Sequence, residues 1–114
     1  MQLDCTQTPD LMIVHLRETR LDAAGAIDFK DGMRDLTSAD ARRVVLDLSR
    51  VGFIDSSGLG AVVAVRKFLG PDRPLELAGL TAAVEKVFRL TRMDSVFIIH
   101  RNVPADAGSF RDVV

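Results

Sequence analysis

Along the chain the spacing of apolar residues switches between two and three-to-four, and each switch marks a change of predicted element. Met1 to Thr8 alternates weakly, Pro9-Asp10 makes a turn, and Leu11 to Leu16 follows as an apolar run. That pattern predicts a hairpin with its first strand at a sheet edge. Asp22 precedes a stretch in which Ala26, Phe29, Met33 and Leu36 recur every three or four residues, with Lys30, Asp31, Arg34 and Asp35 off that stripe. The spacing predicts an amphipathic helix capped by Asp22. Val44 to Leu48 is short, β-branched and almost continuously apolar, as a central strand buried on both faces should be.

Phe53 and Ile54 are expected to return to the core, followed by a polar tetrad, Asp55-Ser56-Ser57-Gly58, and a second apolar run, Leu59 to Val65. The valines of that run suit a strand. Ala61 and Ala64, the Arg66-Lys67 pair and the Gly70-Pro71 stop instead favour a helix from about Ser57 to Leu69. On this reading most of its valines face the core, while Leu59 and Ala61 are candidates for a partner surface. Further on, Leu75 to Ala78 predicts a short alternating strand. Thr81 caps a third helix with Val84, Val87 and Phe88 on its apolar side, and Thr91 to Asp94 closes it. Val96 to Ile99 predicts a last buried strand, and Asn102 to Val114 a loose tail with at most one helical turn. Strands alternating with helices from residue 43 imply βαβ crossovers and a parallel sheet, to which the hairpin adds antiparallel pairing. The class is α/β with a mixed sheet.

If the helix begins near Ser57, the tetrad lies where unpaired N–H groups and the positive end of the helix dipole favour an anion. Asp and Ser are also ordinary capping residues, so capping alone would account for an isolated tetrad of this kind. Asp55-Ser56-Ser57-Gly58-Leu59-Gly60 following a buried strand resembles the signature of anti-sigma factor antagonists, the bacterial members of the STAS domain family, and the resemblance extends over roughly residues 1 to 100. It implies a STAS-like fold over residues 1–114 as one domain, with helices packed against a mixed sheet. It implies phosphorylation of Ser56, the serine directly after the aspartate, by an anti-sigma factor serine kinase with a histidine-kinase-like ATPase fold. A PP2C-type phosphatase would reverse the modification. Unphosphorylated, such a protein binds the anti-sigma factor and frees a sigma factor. Asp22, Asp55, Ser56, Ser57, Gly58, Leu59 and Gly60 are the partner-binding candidates that follow. The chain departs from the family in carrying Thr19 where a glycine often stands three residues before Asp22. The alternative within the same fold is a scaffold or regulatory subunit of a transport ATPase or sensory assembly.

Composition narrows the remaining classes. The chain has 114 residues, 47% of them hydrophobic, enough for one core of its own but not for two domains. A net charge of −1 provides no basic excess for nucleic acid. No stretch approaches the length of a membrane span, and Met1-Gln2-Leu3-Asp4 lacks a signal-peptide pattern, so a cytoplasmic protein is expected. Cys5 is the single cysteine and is expected to pack as a small hydrophobe.

Enzyme signals are weak. Ile54 stands where a G-x-S-x-G nucleophile elbow needs glycine, and His15 and His100, the two possible imidazole bases, fall in or beside apolar strands. Gly58 to Val63 lacks the third glycine of a dinucleotide fingerprint. Two scattered histidines and one cysteine give no metal spacing. No cofactor, no metal and no catalysis are expected, and Arg66, Lys67 and Arg73 read as solvated charges.

Overall fold

A computed structural model describes residues 1–38 and 42–103. Five strands form the main sheet in the order β1-β2-β4-β6-β7: β1 (Leu3–Gln7), β2 (Leu11–Leu16), β4 (Arg43–Asp47), β6 (Glu76–Ala78) and β7 (Ile98–His100). β1 pairs antiparallel with β2, as the hairpin pattern predicts, and every other pairing is parallel. Parallel neighbours need long crossovers, and each is a helix: α1 (Ala26–Thr37), α2 (Ser56–Leu69) and α3 (Ala82–Leu90). A 3-10 turn at Met93–Ser95 leads into β7. The tail expected from Asn102 lies, from residue 104 on, outside the described residues.

All three helices contribute to one core on one face of the sheet. Met12, Val14 and Leu16 of β2, Val44 and Leu46 of β4 and Leu77 of β6 meet Phe29 and Met33 of α1, Val62 and Val65 of α2, and Val84 and Phe88 of α3. Phe97 closes the cluster edge-to-face on Phe88, with ring centroids 5.8 Å apart. Period-two alternation sends Leu11, Ile13, Val45 and Ala78 to the opposite face, where they form a smaller buried cluster. This two-sided burial explains why β2 and β4 read as continuous apolar runs.

Several expectations change in three dimensions. α1 is capped by Gly25, with no side-chain cap; Asp22 instead directs its carboxylate to Arg20 Nε, 3.2 Å away. The stripe of α1 includes Leu36, half-buried against the core, and extends to Thr37, whose hydroxyl is satisfied by the Met33 carbonyl at 2.7 Å so that the residue can be buried. Phe53 does not return to the core. It belongs to an unforeseen two-stranded ribbon, β3 (Arg20–Leu21) with β5 (Phe53–Ile54), in which Ile54 points inward and Phe53 outward. β7 is an edge strand with Val96 and Ile98 exposed, not a buried one, since it lies last in the strand order. Cys5 is half-buried against the core. Arg73 is not a solvated charge; its guanidinium donates to the Thr37 carbonyl at 3.1 Å, closing the C-terminus of α1.

β6 does not alternate in exposure either: Glu76, at its start, is buried along with Leu77 and Ala78. The Arg43 guanidinium grips the Glu76 carboxylate with two N–H groups, one at 2.8 Å, and His100 Nε2 lies 2.7 Å from the same group. Burial alone would raise the pKa of Glu76. The hydrogen bonds from Arg43 and His100 outweigh it and hold the group below its ordinary 4.5. A carboxylate with a lowered folded pKa stabilises the fold above its unfolded value, and that contribution is lost as the pH falls through the folded value. Urea midpoints measured from pH 7 down to pH 3 should therefore drop below about 4.5. Glu76→Gln should cost about 1–3 kcal/mol at neutral pH and flatten that acid-side loss. An equally steep loss in Glu76→Gln would assign the acid sensitivity to other groups.

Candidate functional site

The tetrad is built by strand, turn and helix in immediate succession. β5 ends at Ile54, whose buried side chain anchors the turn, and α2 starts at Ser56. Asp55 between them is extended (φ −105°, ψ −174°) and is the N-cap. Its Oδ1 accepts the Gly58 N–H at 2.9 Å, satisfying one of the unpaired donors of the first turn. Its Oδ2 accepts the Ala23 N–H at 3.2 Å, and its own N–H donates to the Leu21 carbonyl at 3.4 Å. One side chain thus ties the start of α2 to the segment between β3 and α1.

Gly58 faces the same segment. A Cβ built there would lie 2.1 Å from the Leu21 carbonyl oxygen, so only glycine lets the helix approach β3 so closely. Gly60, one position from the buried Ala61, faces open space. The expected separation of these residues therefore needs revision. Ser56, Ser57 and Gly60 are exposed, Leu59 is half-buried against the core, and Gly58 and Ala61 are buried. Ala61 is removed from the candidate partner surface, because the helix turns it inward beside Val62 and Val65. The valines behave as the helical reading predicts, with Val62 and Val65 fully buried.

Ser56 occupies the first helical position with its side chain in solvent, and its hydroxyl makes no hydrogen bond among the described residues. The anion site expected at this helix terminus is partly filled already, since the Asp55 carboxylate accepts the Gly58 N–H and the Asp55 carbonyl the Leu59 N–H. A negative group on Ser56 would gain from the helix dipole and from the remaining first-turn donors, but would sit next to a carboxylate. Two residues missed in the sequence border the site. Arg20 lays its guanidinium 4.1 Å from the centroid of the exposed Phe53 ring, two residues before Asp55. The signal available for Phe53 was alternation: with Ile54 anchored inward, its neighbour had to face out.

The histidines lie elsewhere, on the sheet face that carries the smaller cluster. Thr6 Oγ1, His15 and Asp47 stand in series across β1, β2 and β4, with His15 Nε2 3.1 Å from the hydroxyl and Nδ1 2.7 Å from Asp47 Oδ2. The connectivity matches a hydroxyl–imidazole–carboxylate relay. Such a relay needs donors for a developing oxyanion, whereas the nearby guanidinium, Arg17, is engaged by the carboxylate of Asp4, the register partner of His15. We read the trio as cross-strand packing. Burial would raise the Asp47 pKa, but hydrogen bonds from His15 and Ser49 outweigh it and keep the carboxylate ionised. Among the described residues no cluster of three metal-ligating side chains occurs, and no helix is long and apolar enough to cross a membrane.

Comparison with known proteins agrees with this geometry. The profile of the STAS domain family matches residues 2–105. A Bordetella bronchiseptica protein, BtrV, provisionally named an anti-sigma factor antagonist, is 30% identical over 103 residues, covering 90% of this chain and 89% of that one. An anti-sigma factor antagonist from Mycobacterium paratuberculosis superposes with a TM-score of 0.81 at 19% identity, over 98% of this chain and 92% of that one. The Bacillus cell fate determinant SpoIIAA in its phosphorylated form superposes with a TM-score of 0.64 at 17% identity, over 99% of this chain and all of that one. At such identities these structures share the fold.

The two glycines of the tetrad region give opposite expectations. Gly58→Ala drives a methyl group into the Leu21 carbonyl and should destabilise the chain by about 1–3 kcal/mol or more. Gly60→Ala meets no atom and should stabilise it by about 0.5–1 kcal/mol through helix propensity. Denaturant melts of the two variants check both signs, and a neutral Gly58→Ala would show that β3 yields without cost.

Proposed function

The chain belongs to the STAS domain family, and from that premise we propose that it is an anti-sigma factor antagonist acting in a phosphorylation-controlled partner switch. The observation that carries this reading is Ser56: exposed, without a hydrogen bond to its hydroxyl among the described residues, and fixed at the first position of α2 by the Asp55 cap. The name of the Bordetella relative and the existence of SpoIIAA in a phosphorylated form support it.

In this reading the chain is a single-domain, cytoplasmic, non-enzymatic binding module. Its unphosphorylated form docks on an anti-sigma factor serine kinase through Ser56, Ser57, Leu59 and Gly60, and a sigma factor is set free. Asp55 and Gly58 act from beneath, holding the start of α2 against β3 rather than touching the partner over their full surface. Asp22 contributes through its loop, whose Ala23 N–H is bound by Asp55. Transfer of a phosphoryl group to the Ser56 hydroxyl adds about −1.5 to −2 charges. The new charge stands beside Asp55, where docking would strip water from both, and repulsion with desolvation releases the partner. A PP2C-type phosphatase would restore the hydroxyl. The fold itself is undisturbed, because the added oxygens project into solvent and lie at the favourable end of the helix dipole.

Calorimetric titration against the cognate anti-sigma factor kinase tests the switch. Ser56→Asp should bind at least tenfold more weakly, about 1.4 kcal/mol, while its melting temperature stays close to that of the unaltered chain. Ser56→Ala should bind normally and take up no phosphate. Undiminished binding by Ser56→Asp, together with phosphate found on another residue, would move the switch away from Ser56.

A further inference from the structure

The far end of α2 carries a second surface. There a cleft of about 460 Å³ opens between the last turn of the helix and the approach to β7, lined chiefly by Arg66, Lys67, Pro71, Leu75, Val96 and Ile98. The fourteen residues of α2 place it roughly 20 Å from Ser56, at 1.5 Å per residue. Its walls are apolar below and cationic at the rim, and none of the described residues that line it is a carboxylate. Asp72 turns instead to a neighbouring depression with Arg43 and Arg73.

Three features of this cleft suit a partner. Val96, just after the 3-10 turn, and Ile98, the first residue of β7, are 37% and 53% exposed and both line the cleft. Among the described residues the outer backbone edge of β7 has no neighbour in the strand order, and β7 itself carries neither a lysine nor a proline to discourage pairing. Arg66 Nε is buried with no hydrogen-bond partner among the described residues, while its guanidinium carbon lies 5.9 Å from the Phe97 ring centroid. A buried donor without a partner costs about 1–3 kcal/mol, and a carboxylate is the group that satisfies a guanidinium best.

We propose that this cleft and the β7 edge form a second docking site, for an extended acidic segment of a partner protein that pairs with β7 as an added strand. Alternate side chains of such a strand point the same way, so an apolar residue can cover Ile98 while a neighbouring carboxylate reaches Arg66 and Lys67. The rim charges select acidic over basic segments. Three residues of edge and one cleft make a small interface, suited to transient rather than permanent association. Its distance from Ser56 lets both surfaces be occupied together.

A fluorescein-labelled octapeptide alternating Glu and Val, titrated into the full chain at low salt, tests the site by anisotropy and by amide chemical shifts. Saturable binding is expected, with the largest shifts at Ile98–His100. Lys67→Glu and Arg66→Gln should each weaken it at least fivefold, and Ile98→Asp more. Ser56→Asp should leave it unchanged, which separates this site from the switch. Circular dichroism confirms that each variant is folded; should Arg66→Gln not fold, Lys67→Glu and Ile98→Asp decide the matter. The proposal is overturned by absence of binding, by equal binding of a Lys-Val peptide, by shifts that map away from β7, or by Lys67-dependent binding to phosphatidylserine vesicles in place of the peptide.

Discussion

The Asp55 carboxylate bears on everything else at the candidate site. With one oxygen on the Gly58 N–H and the other on the Ala23 N–H, it joins the first turn of α2 to the segment between β3 and α1. A cap that served only its own helix would fix where α2 begins; this one also fixes what α2 begins against. Gly58 is the steric counterpart, since the closeness that the carboxylate bridges is possible only where no Cβ intervenes. Ser56 is thereby presented on a rigid helix end rather than on a loop, and a rigid presentation limits the ordering cost of docking.

The same arrangement makes the site sensitive to charge. A helix N-terminus usually welcomes an anion, but here Asp55 has already taken part of that capacity. A second negative group nearby is tolerable in water and unfavourable in a desolvated contact. Stability and binding can therefore respond differently to one added charge, as the proposed switch requires. The Arg20–Phe53 stack places an aromatic and a guanidinium, the residue types most often energetically dominant at interfaces, on the strand that runs into the Asp55-Ser56 turn and on its partner strand.

The sheet meets the opposite problem. Its parallel strands need both faces covered, and the helices cover one. On the other, charge is accommodated by pairing: His15 with Asp47, and Glu76 with Arg43 and His100. These groups recur at alternate positions among Leu11, Ile13, Val45 and Ala78, so polar and apolar patches share one surface with the Asp47 and Glu76 carboxylates both paired. What resembles a catalytic relay at Thr6 is one part of this arrangement.

The sequence by itself determined the elements and their class, because those rest on local periodicity: two-sided burial in Val44 to Leu48, the stripe of α1, and Ala61 and Ala64 followed by a Gly-Pro stop for α2. It also located the Asp55-Ser56 turn, since capping chemistry is local. Only the tertiary structure decided matters that depend on which element lies next to which. Asp22 looked like a cap until Gly25 took that role and left its carboxylate to Arg20. Ala61 looked available until the roll of α2 about its axis turned it inward. Val96 to Ile99 looked buried because apolar residues predict burial, but strand order placed it at an edge, and strand order is set by long-range pairing that no local window contains. Gly58 looked like one more glycine of a motif. That its missing side chain faces the Leu21 carbonyl, thirty-seven residues earlier in the chain, is a fact of packing alone.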